Sequence, residues 1–96
     1  MLTGKQRRHL RSLAHKVNPV TQIGKNGLSD NLFKTLDDAL EAHELIKVSV
    51  LQNCLLDKDE ITESLTNELE AERVQQIGNQ IVLYRESSKE KQIELP

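Results

Sequence analysis

Four consecutive residues, Gly24-Lys25-Asn26-Gly27, have the types and spacing to hold an anion. Glycines three apart let a backbone come close to a ligand, Lys25 adds a positive charge, and Asn26 can donate through its amide. A helical pattern follows the loop, and the free amides of a helix N-terminus also favour negative charge. One RNA-binding module clamps the nucleic-acid backbone with a GXXG loop of this kind, although two glycines at this spacing also make ordinary turns. The neighbouring sequence is basic. Residues 1–29 hold Lys5, Arg7, Arg8, Arg11, Lys16 and Lys25 and no acid, whereas residues 30–96 hold seven Lys or Arg and all fifteen acids. A chain of net charge −2 is therefore +6 at one end and −8 over the rest. Such a domain can present one end to a polyanion and repel it with the other; the plainer meaning is a helix with a solvated basic face.

Other chemistry finds little support. The G-x-G-x-x-G and G-x-x-x-x-G-K-[ST] nucleotide loops are missing. Phe33 and Tyr84 are the only aromatic residues, so base stacking on aromatic pairs is not available and any RNA must be gripped mainly through phosphates and shape. His9, His15 and His43 lack a His-x-x-x-His spacing and accompany a single cysteine, Cys54, which argues against a zinc site and rules out an internal disulfide. No nucleophile sits in a recognisable elbow, and no cofactor loop is present. Asp57, Asp59, Glu60 and Glu63 read as ordinary helix-dipole chemistry rather than a metal site.

The elements that must position the loop follow from periodicity. Thr3 and Gln6 form a capping box, and Leu10, Leu13, Ala14 and Val17 mark the buried stripe of a first helix that ends at Asn18-Pro19. Residues 20–23 read as a strand. A second helix runs from Ser29 or Asp30 to Ala42 with Leu32, Phe33, Leu36, Ala39 and Leu40 inside. Residues 45–51 read as a central strand buried on both faces. Asp57 or Asp59 caps a third helix whose inner face is Ile61, Leu65 and Leu69. Residues 73–77 and 80–85 are strands joined at Gly78-Asn79, with Tyr84 expected at a sheet edge. Residues 87–91 are expected to be mobile, and Ile93 and Leu95 to add a short terminal strand. The order α-β-α-β-α-β-β predicts one α/β domain over residues 1–96, with helices packed on a mixed sheet and a looser tail from about residue 87. With 96 residues, no apolar run near 18 and no apolar stretch behind the first charges, neither a membrane span nor a signal peptide is expected, and the single cysteine fits the cytoplasm.

Several stretches resemble the CRM domain (chloroplast RNA splicing and ribosome maturation), above all its stand-alone bacterial YhbY-type members. They are Ile23-Gly24-Lys25-Asn26-Gly27-Leu28, Ala39-Leu40-Glu41-Ala42-His43-Glu44-Leu45-Ile46-Lys47-Val48, Ile77-Gly78 and Val82-Leu83-Tyr84-Arg85. Leu2-Thr3, Lys5-Gln6, Leu10, Leu13-Ala14-His15 and Pro19 fit it too. The match is loose over residues 51–73 and weak over 92–96. The resemblance implies a sandwich with a four-stranded sheet, similar to the C-terminal domain of bacterial translation initiation factor three. It also implies RNA contacts by the GxxG loop and the basic helix, association of bacterial members with precursors of the large (50S) ribosomal subunit, group II intron splicing for plant members, and no enzyme activity.

The expected partner is thus structured RNA, in particular rRNA of an assembling large subunit, with no cofactor and no metal. Lys5, Arg7, Arg8, Arg11 and Lys16 would meet phosphates, and Gly24, Lys25, Asn26 and Gly27 would form the close-approach loop. The alternative is a protein-interaction module that docks a basic ribosomal protein on the acidic third helix through Glu63, Glu68, Glu70 and Glu72.

Overall fold

The computed structural model describes residues 2–25 and 27–96. Helix α1 (Gly4–Ala14) starts where the capping box places it: Thr3 Oγ1 accepts the Gln6 N–H at 3.1 Å and Gln6 Oε1 accepts the Thr3 N–H at 3.0 Å. Strand β1 (Pro19–Ile23) follows. Helix α2 (Asp30–His43) is capped by Ser29, whose Oγ accepts the Leu32 N–H at 3.1 Å. Strand β2 (Leu45–Val50) leads to α3 (Lys58–Leu69), where Asp57 stands at the N-cap without a side-chain cap bond. Strands β3 (Glu72–Ile77) and β4 (Gln80–Tyr84) form a hairpin whose turn uses Gly78 at φ 57.

The sheet order is β1-β2-β4-β3, with β1 parallel to β2 and the other two pairings antiparallel. Strict alternation builds two cores from it. On β4, Ile81 and Leu83 face α2 and α3 and pack with Leu36, Leu40, Ile61 and Leu65. Val82 and Tyr84 face the other way and pack with Leu10 and Ala14 of α1. Two helices therefore cover one face and α1 alone covers the other. Strand β2 is central and almost entirely buried, as its apolar run predicts; Lys47 is the exception.

Several sequence-based expectations fail. Helix α1 stops at Ala14, short of the expected end at Asn18-Pro19, so Val17 packs from beyond it, and Glu72, expected on the third helix, opens β3. Ile93 and Leu95 form no strand among the described residues; they pack as an irregular segment against the α1-side core. The polar stretch 87–91 is anchored at its start, where Glu41 accepts hydrogen bonds from Ser88 N–H and Oγ and from Ser87 Oγ. Tyr84 lies on an interior strand, not at a sheet edge, since β4 is flanked by both β2 and β3.

Candidate nucleic-acid interface

Helix α1 crosses its face of the sheet from the β3 side to the β1 side. Arg7 and Arg11 lie beside residues 73–76 of β3, while Leu13 and Val17 lie beside Val20 and Leu45. Leu10 and Ala14 are buried beneath, so the helix can turn its cations only sideways or outward. Lys5, Arg8 and Lys16 are exposed and Arg7 and Arg11 half-buried. The Arg7 guanidinium donates to the Arg73 carbonyl, which fixes it against β3. Among the described residues, no ion pair engages Lys5, Arg7, Arg8, Arg11, Lys16 or Lys25.

The glycine loop sits at the far end of β1. The Gly27 N–H donates to the Gly24 carbonyl at 2.9 Å and closes a turn that presents exposed Lys25. Asn26 lies outside the described residues. A cleft of about 320 Å³ opens between the loop, the edge of β1 and the first turn of α2, with Thr21, Gln22, Lys25, Ser29, Asn31 and Thr35 among its polar lining. It could admit a phosphate with part of its sugar, met by Lys25 and by the amide end of α2.

Both glycines also have a reason inside the molecule. A Cβ at Gly24 would stand 3.2 Å from Asn53 Oδ1 and from Leu51 Cδ1, and Gly27 adopts φ 64 with Leu56 Cδ1 3.3 Å from where a Cβ would be. The segment after β2 thus packs closely on the loop, and the positive φ of Gly27 favours glycine there whether or not a ligand approaches. Only the tertiary packing reveals this.

The structure does not merge helix and loop into one spot, although they adjoin in sequence. Arg7 and Arg11 stand over β3 and the loop extends β1, and these are opposite edges of the sheet, roughly 14 Å apart at three strand spacings. Lys16 stands before the start of β1, about 16 Å along the strand from the loop. Any polyanion that uses all of them must lie across the face.

The family model of the CRS1 / YhbY (CRM) domain matches residues 2–85. The chain belongs to the CRM domain family. Its relatives include the Probable RNA-binding protein YqeI of Bacillus subtilis (strain 168), 58% identical over 96 residues that span the whole of both chains. An RNA-binding protein of Haemophilus influenzae is 42% identical and covers 99% of this chain and 95% of its own. The solution structure of the hypothetical protein SAV1595 from Staphylococcus aureus superposes with a TM-score of 0.82 at 57% identity, over the full length of both chains.

Within this CRM domain one cation escaped the sequence reading. Lys47 pairs in register with Val82, a member of the α1-side core, so it shares the face that α1 crosses, one strand in from β1. The signal was available: a lone charge in residues 45–50, two positions from Leu45, belongs to the same face by alternation. The acids of the helices are sorted the other way, although Glu72, in register with Tyr84, shares the α1 face. Asp30, Asp37, Asp38 and Glu41 ride on α2, and Asp59, Glu60, Glu63 and Glu68 on α3, the layer behind the sheet. Among the described residues, no group of three His, Cys, Asp or Glu is placed to hold a metal ion, and no helix is long and apolar enough to cross a membrane.

Proposed function

We propose that this domain binds structured RNA, with rRNA of the assembling large (50S) ribosomal subunit as its target, and that it does so in the cytoplasm without catalysing a reaction. Lys5, Arg7, Arg8, Arg11 and Lys16 meet phosphates on one side, Lys47 lies on the face between, and Gly24, Lys25, Asn26 and Gly27 receive the backbone at the far end of β1. The observation that carries this reading is the sorting of the helices by layer: the basic helix α1 is the one helix on its face, and the acidic helices α2 and α3 lie behind the sheet. A face of this kind attracts a polyanion while its back repels one. The separation of helix and loop suits an extended, shaped backbone better than a single phosphate. The names of the relatives point to RNA, and none of them is enzymatic.

The test is a titration of the protein with a structured large-subunit rRNA fragment and with duplex DNA of equal length, at several salt concentrations. Preference for the RNA with a salt slope of a few charges supports the reading; weak and equal binding to both refutes it. The α3 variant Glu63→Lys/Glu68→Lys separates it from docking to a basic protein through the acidic helix. That variant should leave RNA affinity nearly unaltered and should retain association with ribosome precursors.

A further inference from the structure

Residues 87–96 have no regular secondary structure, yet two carboxylates hold them to the body of the domain, Glu41 at Ser87 and Ser88 and Glu44 along the rest. Glu44, the C-cap of α2, is completely excluded from solvent. Its Oε2 accepts the Ser87 N–H at 2.7 Å, and its Oε1 accepts the N–H groups of Gln92 at 2.6 Å and Ile93 at 2.7 Å. The residue does this from φ 65, a conformation in which a glycine would sit at lower cost. A strained backbone and a buried charge at a helix end are both unfavourable, and a side chain that gathers three amides is what compensates them.

The gathered segment then runs to α1. Ile93 and Leu95 pack against the core of Leu10, Ala14 and Tyr84, Ile93 lines a groove with Leu13 and Val17, and Gln6 Nε2 donates to the Pro96 carbonyl at 3.3 Å. The segment thus flanks the one helix that has no second helix beside it on its face. An 11-residue helix with two fully buried side chains needs such a flank to keep one orientation. From the α2 and α3 layer, His43 at the end of α2 borders the same groove.

We infer that Glu44 is a positioning residue for the RNA-gripping helix: its buried carboxylate organises residues 87–96 into a strap that fixes α1 on the sheet and so sets the spacing of Arg8 and Arg11 from the 24–27 loop. This rests on the reading of α1 as an RNA contact.

The experiment compares full-length wild type, Glu44→Gln, Glu44→Ala, Ile93→Ala/Leu95→Ala and Leu65→Ala at a temperature where each is folded. Two quantities are read: the backbone amide resonances of Ser87, Gln92 and Ile93, and affinity for the rRNA fragment. Glu44→Gln keeps one carbonyl oxygen, so the Gln92 and Ile93 amides should stay hydrogen-bonded while Ser87 loses its acceptor. Glu44→Ala should release all three. RNA affinity should fall in the same order, by at least about fivefold for the alanine, a typical coupling between separate sites. Leu65→Ala, a core change in the other layer, should leave affinity unchanged. If Glu44→Ala frees the amides and RNA affinity holds, the positioning role is refuted. Should Glu44→Ala not fold, Ile93→Ala/Leu95→Ala loosens the strap without touching the α2–β2 corner, and unchanged affinity there refutes the role equally. An Arg8→Gln/Arg11→Gln protein that binds RNA as well as wild type would instead remove the underlying reading of α1, and the inference with it.

Discussion

Replacing Arg8 and Arg11 by Gln removes two charges from the outer side of α1 while keeping most of each side-chain stem in place. Arg8 is exposed and Arg11 half-buried, and neither is committed to an ion pair among the described residues. Arg7 is left alone because its guanidinium holds the Arg73 carbonyl and its loss would disturb β3. With about four phosphates neutralised in all, two of them by Arg8 and Arg11, log affinity should fall against log salt with a slope of roughly −3. A rise from about 50 to about 200 mM salt would then weaken wild-type binding about 60-fold. With two of the four charges gone, the slope should be about −1.5 and the same rise should cost only about 8-fold. Fluorescence anisotropy with a labelled rRNA fragment reads both slopes, and thermal unfolding of the variant should match wild type, since these are surface changes. An unaltered salt slope in a folded variant would refute the assignment of α1 as the phosphate-gripping element.

Four further outcomes follow from the packing and from the carboxylates of Glu41 and Glu44. Gly27→Ala should destabilise the fold by about 1–2 kcal/mol, because φ 64 disfavours a Cβ and Leu56 must shift. Gly4→Ala, at the open first residue of α1, should instead be neutral or stabilising; chemical denaturation giving both variants the same sign would contradict the loop geometry. Leu36→Ala should cost roughly 2–5 kcal/mol as a cavity in the α2 layer, where Leu36 is fully buried, and a cost near zero would show this core to be misread. Acid should weaken the clasp at the end of β4. Hydrogen bonds from the Ser88 backbone and side chain hold the Glu41 carboxyl below its ordinary value of 4.5. Burial pushes the Glu44 carboxyl up, but the amides of Ser87, Gln92 and Ile93 outweigh it and hold this group low as well. Both titrate lower folded than unfolded, so their stabilisation is present above the ordinary value and is lost as pH falls through the lowered ones. The melting temperature of wild type should therefore drop more steeply below about pH 4.5 than that of Glu41→Gln/Glu44→Gln; parallel curves would disprove the linkage.

Much of the scaffold was legible in the residue order because its determinants are local. The capping box at Thr3 and Gln6, the N-cap at Ser29, the apolar stripes of α2 and α3 and the turn at Gly78-Asn79 each act within a few residues, and each appears where its chemistry predicts; the end of α1, expected at Asn18-Pro19, comes earlier, at Ala14. The polarity of charge was also legible, since it needs only a count along the chain. What the chain alone could not decide were the meetings of distant residues. The separation of Arg7 and Arg11 from the glycine loop depends on sheet order, which puts β1 and β3 at opposite edges. How closely Gly24 and Gly27 are packed depends on the segment after β2 folding back onto them. Glu44 looked like one more acid at a helix end, and only the fold brings Ser87, Gln92 and Ile93, more than forty residues on, to its carboxylate. Hydrogen-bond capping and amphipathic periodicity are short-range and leave a signature in sequence. Strand order and the choice of which amide reaches a buried carboxylate come from the global packing of two cores, and no window of residues records them.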